Sequence, residues 1–278
     1  MGKNNKSILE FPDTSDSLGK IYIIILFISG AIWAFIAVNN FDTPNLFKLA
    51  LIYSLLLVFG LFGVLYDRQQ KKLGIDSRIW ETSRLRIQLI IGIIFFAVWY
   101  IVFIKQGFAV ASAQSVGQGA LFAVNPTLNY FLITFLAPLA EDIFFFGVLN
   151  ITFILIIRSL AANKIYSTLF GALVFSLSFL IKNVPNISIY LGISAAMIIT
   201  TSFISPKLQK YPAYIASALC IGATIFPAFH GYAYQLNERN YVAASWFGMF
   251  ACLLISLIGL LPVDMAHIAN NMLTAGGG

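Results

Sequence analysis

The chain has 278 residues, of which 59% are hydrophobic and 10% charged, against about 25% charged in an ordinary soluble domain. With a mean hydropathy of +0.87, it does not read as a water-soluble enzyme, and lipid is its expected main solvent. The net charge of +6 is carried by short loops between apolar runs, where basic residues set topology and meet anionic headgroups; this speaks against nucleic acid as a partner.

The polar stretch Met1 to Lys20 lacks the apolar region and small-residue cleavage site of a secretory signal, and Lys6 stands where a myristoylation signal needs Ser or Thr. It is read as a cytoplasmic tail. Apolar runs follow at Ile21 to Val38, Leu49 to Tyr66, Ile87 to Ile104, Tyr130 to Ile157, Ile165 to Ile181, Ile187 to Phe203, Ala213 to Tyr234 and Val242 to Leu261. A span needs about 20 apolar residues, and in lipid the backbone must satisfy its own hydrogen bonds, so these runs predict helices. The expected fold is an all-α, polytopic helical membrane protein of about eight transmembrane helices. Residues 21–278 form its single transmembrane domain.

Lys and Arg in the loops set the orientation. The connection from Asp67 to Arg86, with Arg68, Lys71, Lys72, Arg78, Arg84 and Arg86, is the densest basic stretch and is expected inside. Stepping span by span then leaves Lys48, Lys105, Lys182 and Arg239 of the 17 basic residues outside, which predicts a cytoplasmic N-terminus. The long outer connection Lys105 to Asn129 could dip into the interface through Phe108, Phe122 and Val124 or form a loose loop. Cys220 and Cys252 fall inside apolar runs and are expected to pack as small side chains rather than form a disulfide.

Ionisable groups inside a span cost several kcal/mol on most scales and by default mark function. Glu141 and Asp142 lie adjacent within the run Tyr130 to Ile157, and the chain's 2 histidines, His230 and His267, lie at or just beyond the ends of apolar runs. On a helix, residues four apart share a face, so Phe226 lies beneath His230, and Asn271 is placed to orient the His267 ring; Asp264 and Asn270 are further candidate partners. A carboxylate with two imidazoles forms a minimal hydrolytic set: the acid can activate water while the histidines hold a metal or stabilise an oxyanion. Each signal alone also has a structural explanation, and among 26 Phe residues an F-x-x-x-H match arises easily by chance.

Read in order, Glu141-Asp142-Ile143-Phe144-Phe145-Phe146-Gly147, then Phe226-x-x-x-His230, then His267-x-x-x-Asn271, the chain resembles the CAAX prenyl protease and bacteriocin-processing family of intramembrane endopeptidases. That family carries E-E-x-x-x-R, F-x-x-x-H and H-x-x-x-N in the same order on separate helices. The resemblance covers about Leu132 to Leu273, within a protease-like core at about 130–275. It implies Glu141 as the water-activating base, Asp142 at the second acidic position, and Asn271 in an assisting role. His230 and His267 would bind a divalent metal such as zinc, or position water and oxyanion without one. The implied partners are membrane lipid and a membrane-embedded or lipidated protein or peptide substrate.

The chain departs from the family where Phe146 stands in place of the Arg that would pair with the acids, so either Glu141 is tuned differently or catalysis has been lost. Two alternatives follow: a catalytically inactive member that binds membrane proteins, and a proton-coupled transporter using the same buried groups. The spacing also leaves room for two additional spans between the first two motifs. Finally, His230 and His267 should lie at different depths unless the chain breaks at Pro227 or Pro262 or re-enters.

Overall fold

A computed structural model describes residues 85–106, 134–135, 137–234 and 238–275. The expected tail, the runs Ile21 to Val38 and Leu49 to Tyr66, most of the basic connection and nearly all of Lys105 to Asn129 lie outside these residues. The described residues are helical, with no strand among them. Helix α1 runs Leu85–Trp99 and widens into π-helical turns at Tyr100–Ile104. Helix α2 comprises Ala137–Glu141, a π-helical segment Asp142–Leu149, and Asn150–Leu160. Helices α3 (Lys164–Ser176, ending in a 3-10 turn at Leu177–Phe179) and α4 (Ile187–Thr201) form a hairpin. Helix α5 comprises Lys210–Ser217, a π-helical segment Ala218–Ile225, and Phe226–Tyr234. Helices α6 (Glu238–Leu257) and α7 (Leu261–Ala275) complete the order.

Among the described residues, four stretches are long and apolar enough to cross a membrane: Leu85–Ile104, Ala137–Leu160, Lys210–Gly231 and Glu238–Leu257. The α3–α4 hairpin fills the interval between the first two motifs, but its helices are shorter. The 15 residues of α4 extend only about 22 Å at 1.5 Å per residue, short of a hydrocarbon core about 30 Å thick. Outward-facing residues such as Ile90, Ile93, Leu169, Leu173 and Ile189 are exposed and apolar, as a lipid-facing surface requires.

In lipid, packing and buried hydrogen bonds rather than water exclusion join helices. The π-helical segment of α5 lies against α6 where Gly222 meets Gly248, so closely that a Cβ on either would fall on the other's backbone. Asn150 ties three helices together. Its Nδ2 donates to Cys252 O and Ser256 Oγ on α6, both at 3.1 Å, and its Oδ1 accepts from Ser217 Oγ on α5 at 2.6 Å. Ser167 donates to Ile198 O and Ser194 to Ala216 O, each at 2.8 Å, joining α3 to α4 and α4 to α5. Cys220 and Cys252 are free and buried in this core.

A turn just ahead of Pro262 lets His267 meet His230. Helix α6 ends at Leu257, and Gly259 adopts φ 135°, open to glycine and strained for any side chain. Helix α7 then starts with Pro262 in its first turn, where a missing N–H costs nothing, and folds back alongside the core. At Pro227 the chain does not break: the helix continues from the π-helical turns through Phe226–Tyr234. The apolar runs end at Leu261, and the helix that carries His267 and Asn271 follows after this turn, in line with the expected break at Pro262.

Candidate active site

Glu141 ends the first α-helical turns of α2, and Asp142 begins its π-helical segment. π-Helical turns within α-helices are frequent at functional sites. Both acids are buried, at 3% and 0% exposure. His230 projects from α5 and His267 from α7, and both reach the same carboxylate oxygen. His230 Nε2 lies 3.2 Å and His267 Nε2 3.9 Å from Glu141 Oε2. The other ring nitrogen of His267 is 2.7 Å from Asp142 Oδ1.

Elementary hydrogen-bond chemistry assigns several protons. The carbonyl of Phe226 can only accept, so at 2.9 Å it holds His230 in the tautomer with Nδ1 protonated. His230 Nε2 and Glu141 Oε2 therefore share one proton, either as an imidazolium with a carboxylate or as a neutral pair. With Asp142 ionised, His267 Nδ1–H donates to its carboxylate and Nε2 is directed to Glu141. Asp142 Oδ2 has no hydrogen-bond partner among the described residues.

The structure thus brings Glu141, Asp142, His230 and His267 together, and corrects one expected contact. The His267 ring is oriented by Asp142 on a different helix, not by Asn271, Asn270 or Asp264 on its own. The reason is that α2 packs Asp142 within 2.7 Å of Nδ1 and Glu141 within 3.9 Å of Nε2, so both ring nitrogens of His267 are met from another helix. Asn271 Oδ1 accepts instead from Asn270 Nδ2 at 3.0 Å. Helix α1 proves to be part of the surroundings as well. Trp99 Nε1 donates to Asn270 Oδ1 at 3.1 Å, a contact that no sequence signal announced.

Aromatic rings form the walls. Phe226 stacks below His230 with centroids 4.2 Å apart, and Phe247 faces His267 at 5.0 Å. Phe146, fully buried, packs against Phe226 at 4.8 Å and Phe247 at 6.3 Å. An apolar ring thus fills the place where an ion-pairing Arg was expected. Among the described residues no group of three or more His, Cys, Asp or Glu is arranged to hold an ion; with both Nδ1 atoms hydrogen-bonded, the Nε2 atoms of His230 and His267 are the ring nitrogens turned to Glu141.

No protein-family model, curated protein or solved structure matches the chain.

Proposed function

We propose that the chain is an integral multi-pass membrane protein of about eight spans with a cytoplasmic N-terminus. In this reading it is an intramembrane endopeptidase of the CAAX prenyl protease and bacteriocin-processing kind. It hydrolyses peptide bonds of membrane-embedded or lipid-anchored substrates. One observation carries the reading: a buried carboxylate oxygen with an imidazole on each side, 3.2 and 3.9 Å away, the second imidazole backed by its own acid.

In the ionised form of the pair, Glu141 is a carboxylate held by the His230 imidazolium and acts as general base on water. As water adds to the peptide carbonyl, its proton passes to Glu141 and then to the departing amine, leaving a new carboxyl group and a new amine. His267 places Nε2 beside Glu141; in its imidazolium form, protonated before substrate binds, it donates Nε2–H to the developing oxyanion and keeps that proton through the step. The side chain of His230 is 14% exposed against 4% for that of Glu141, so substrate approaches from the His230 edge.

The test is cleavage of lipidated and transmembrane peptides by the purified chain in liposomes, with new termini read by mass spectrometry. Glu141→Gln is expected to lower kcat by at least about 100-fold, the scale of a general base; an undiminished rate would remove Glu141 from that role.

A second reading, a catalytically inactive binder of membrane proteins, draws on Phe146 buried where an ion-pair partner belongs. Cleavage by the parent chain ends it, and cleavage gained only in Phe146→Arg establishes it.

A further inference from the structure

From Ile143 to Asn237 the chain contains no Asp or Glu, and its basic residues there are Arg158, Lys164, Lys182, Lys207 and Lys210. The fold gathers four of them. On α2 Glu141 meets His230 of α5, and further along Asn150 meets Ser217, so the two helices run antiparallel and the end of α2 lies beside the start of α5. Arg158 stands in the last turn of α2, and Lys210 opens α5. The α3–α4 hairpin has its open end in the same place. Ser167 donates to Ile198 O at 2.8 Å, and Lys164 Nζ lies 4.6 Å over the Phe203 ring, which joins the α2–α3 turn to the α4–α5 connection that carries Lys207. Lys182 lies at the tip of the hairpin, at its other end.

These charges are not answered from within. Arg158, Lys164 and Lys207 are exposed and Lys210 is half-buried, and none of the four is ion-paired with a described residue. Lys164 and Lys210 lie over aromatic rings instead, Phe203 and Tyr211. A helix dipole favours a cation at the C-terminus, which accounts for Arg158. It does not account for Lys164 and Lys210, the first residues of α3 and α5, whose first turns hold no acid. Two helix N-termini and two C-termini meet at this end and offset one another, which leaves the four side-chain charges uncompensated.

The surroundings suit a lipid better than a soluble anion. Ile165, Leu169 and Leu173, spaced four apart on one face of α3, lead away from the cluster as an exposed apolar strip, and Tyr166, Phe203 and Tyr211 are exposed beside the cations. Tyrosine between apolar surface and charge marks a membrane interface. An anionic phospholipid presents its groups in the same order, acyl chain and then phosphate, and basic clusters between spans bind such headgroups. A free anion would engage the cations and leave the apolar strip unused.

We propose that the end of the bundle formed by Arg158, Lys164, Lys207 and Lys210 is a binding site for an anionic phospholipid, its phosphate held by these cations and an acyl chain lying along α3. The proposal does not depend on the endopeptidase reading.

The full chain in detergent is titrated with phosphatidylglycerol or phosphatidylcholine, and bound lipid is counted by native mass spectrometry. Phosphatidylglycerol is expected to form a saturable adduct that phosphatidylcholine does not, to weaken as salt rises, and to survive millimolar inorganic phosphate. Lys164→Gln with Lys210→Gln should weaken it about 30-fold, the effect of two charges at a lipid surface. Lys182→Gln removes a like charge from the other end and should leave it unchanged. Arg158→Gln and Lys207→Gln, each altering an exposed side chain, should weaken it about fivefold singly, so the test stands even if the double variant fails to fold. Equal retention of the two lipids, displacement by inorganic phosphate, or an equal loss in Lys182→Gln overturns the proposal.

Discussion

His267 has its two ring nitrogens directed at different acids, Asp142 at 2.7 Å and Glu141 at 3.9 Å, and this division of labour defines the site at the residue scale. In the proposed mechanism the part of Asp142 is to orient the His267 ring through Nδ1. Asp142→Asn keeps the size but loses the charge and allows the wrong tautomer. A fall in kcat of roughly 10³ to 10⁴ is expected, by analogy with the same change behind a catalytic histidine, with the melting temperature much less affected. Loss of folding alongside activity would instead make the pair structural. The acids and histidines were legible in the sequence because charge is costly in an apolar run. The Asp142–His267 contact was not, because it joins positions 125 apart and depends on the return of α7. The packing of Phe146 was likewise invisible: its burial between Phe226 and Phe247 emerges only from helix packing.

At the scale of elements, two glycine positions hold the geometry. Where Gly222 crosses Gly248 there is no room for any side chain, so Gly222→Leu must push α5 away from α6 and displace His230. A loss of about 3 kcal/mol or more is expected from such overpacking, read as a lower melting temperature in detergent together with lost activity. Gly259, at φ 135°, makes the turn that sends α7 back. Gly259→Ala should cost about 1 to 3 kcal/mol of backbone strain and selectively raise hydrogen exchange in α7. Exchange unchanged in α7 would show that its packing on α1, not the turn, holds it in place. Helix existence could be read from hydropathy, since each described run became a helix. The π-helical segments and the turning point could not, because they depend on which neighbour each backbone meets.

At the scale of the whole molecule, the four helices among the described residues that are able to cross a membrane, with apolar side chains turned outward, lead to two expectations. The protein should stay in the membrane pellet through alkaline carbonate extraction. In right-side-out vesicles, Lys182→Cys should react with an impermeant maleimide while Lys72→Cys should not; the reverse pattern would invert the proposed orientation. The buried native thiols of Cys220 and Cys252 leave these reporters little background.

Composition and hydropathy alone determined the helical class, the described apolar helices and the few polar residues worth watching, because burying charge in lipid is costly enough to leave a mark on the sequence. The tertiary structure alone decided that residues from α2, α5 and α7 meet, that α1 reaches the site through Trp99, and which atoms donate and which accept. Those outcomes depend on one turn at Gly259 and one close crossing at Gly222 and Gly248, and contacts between distant segments leave no periodicity for a linear reading to detect.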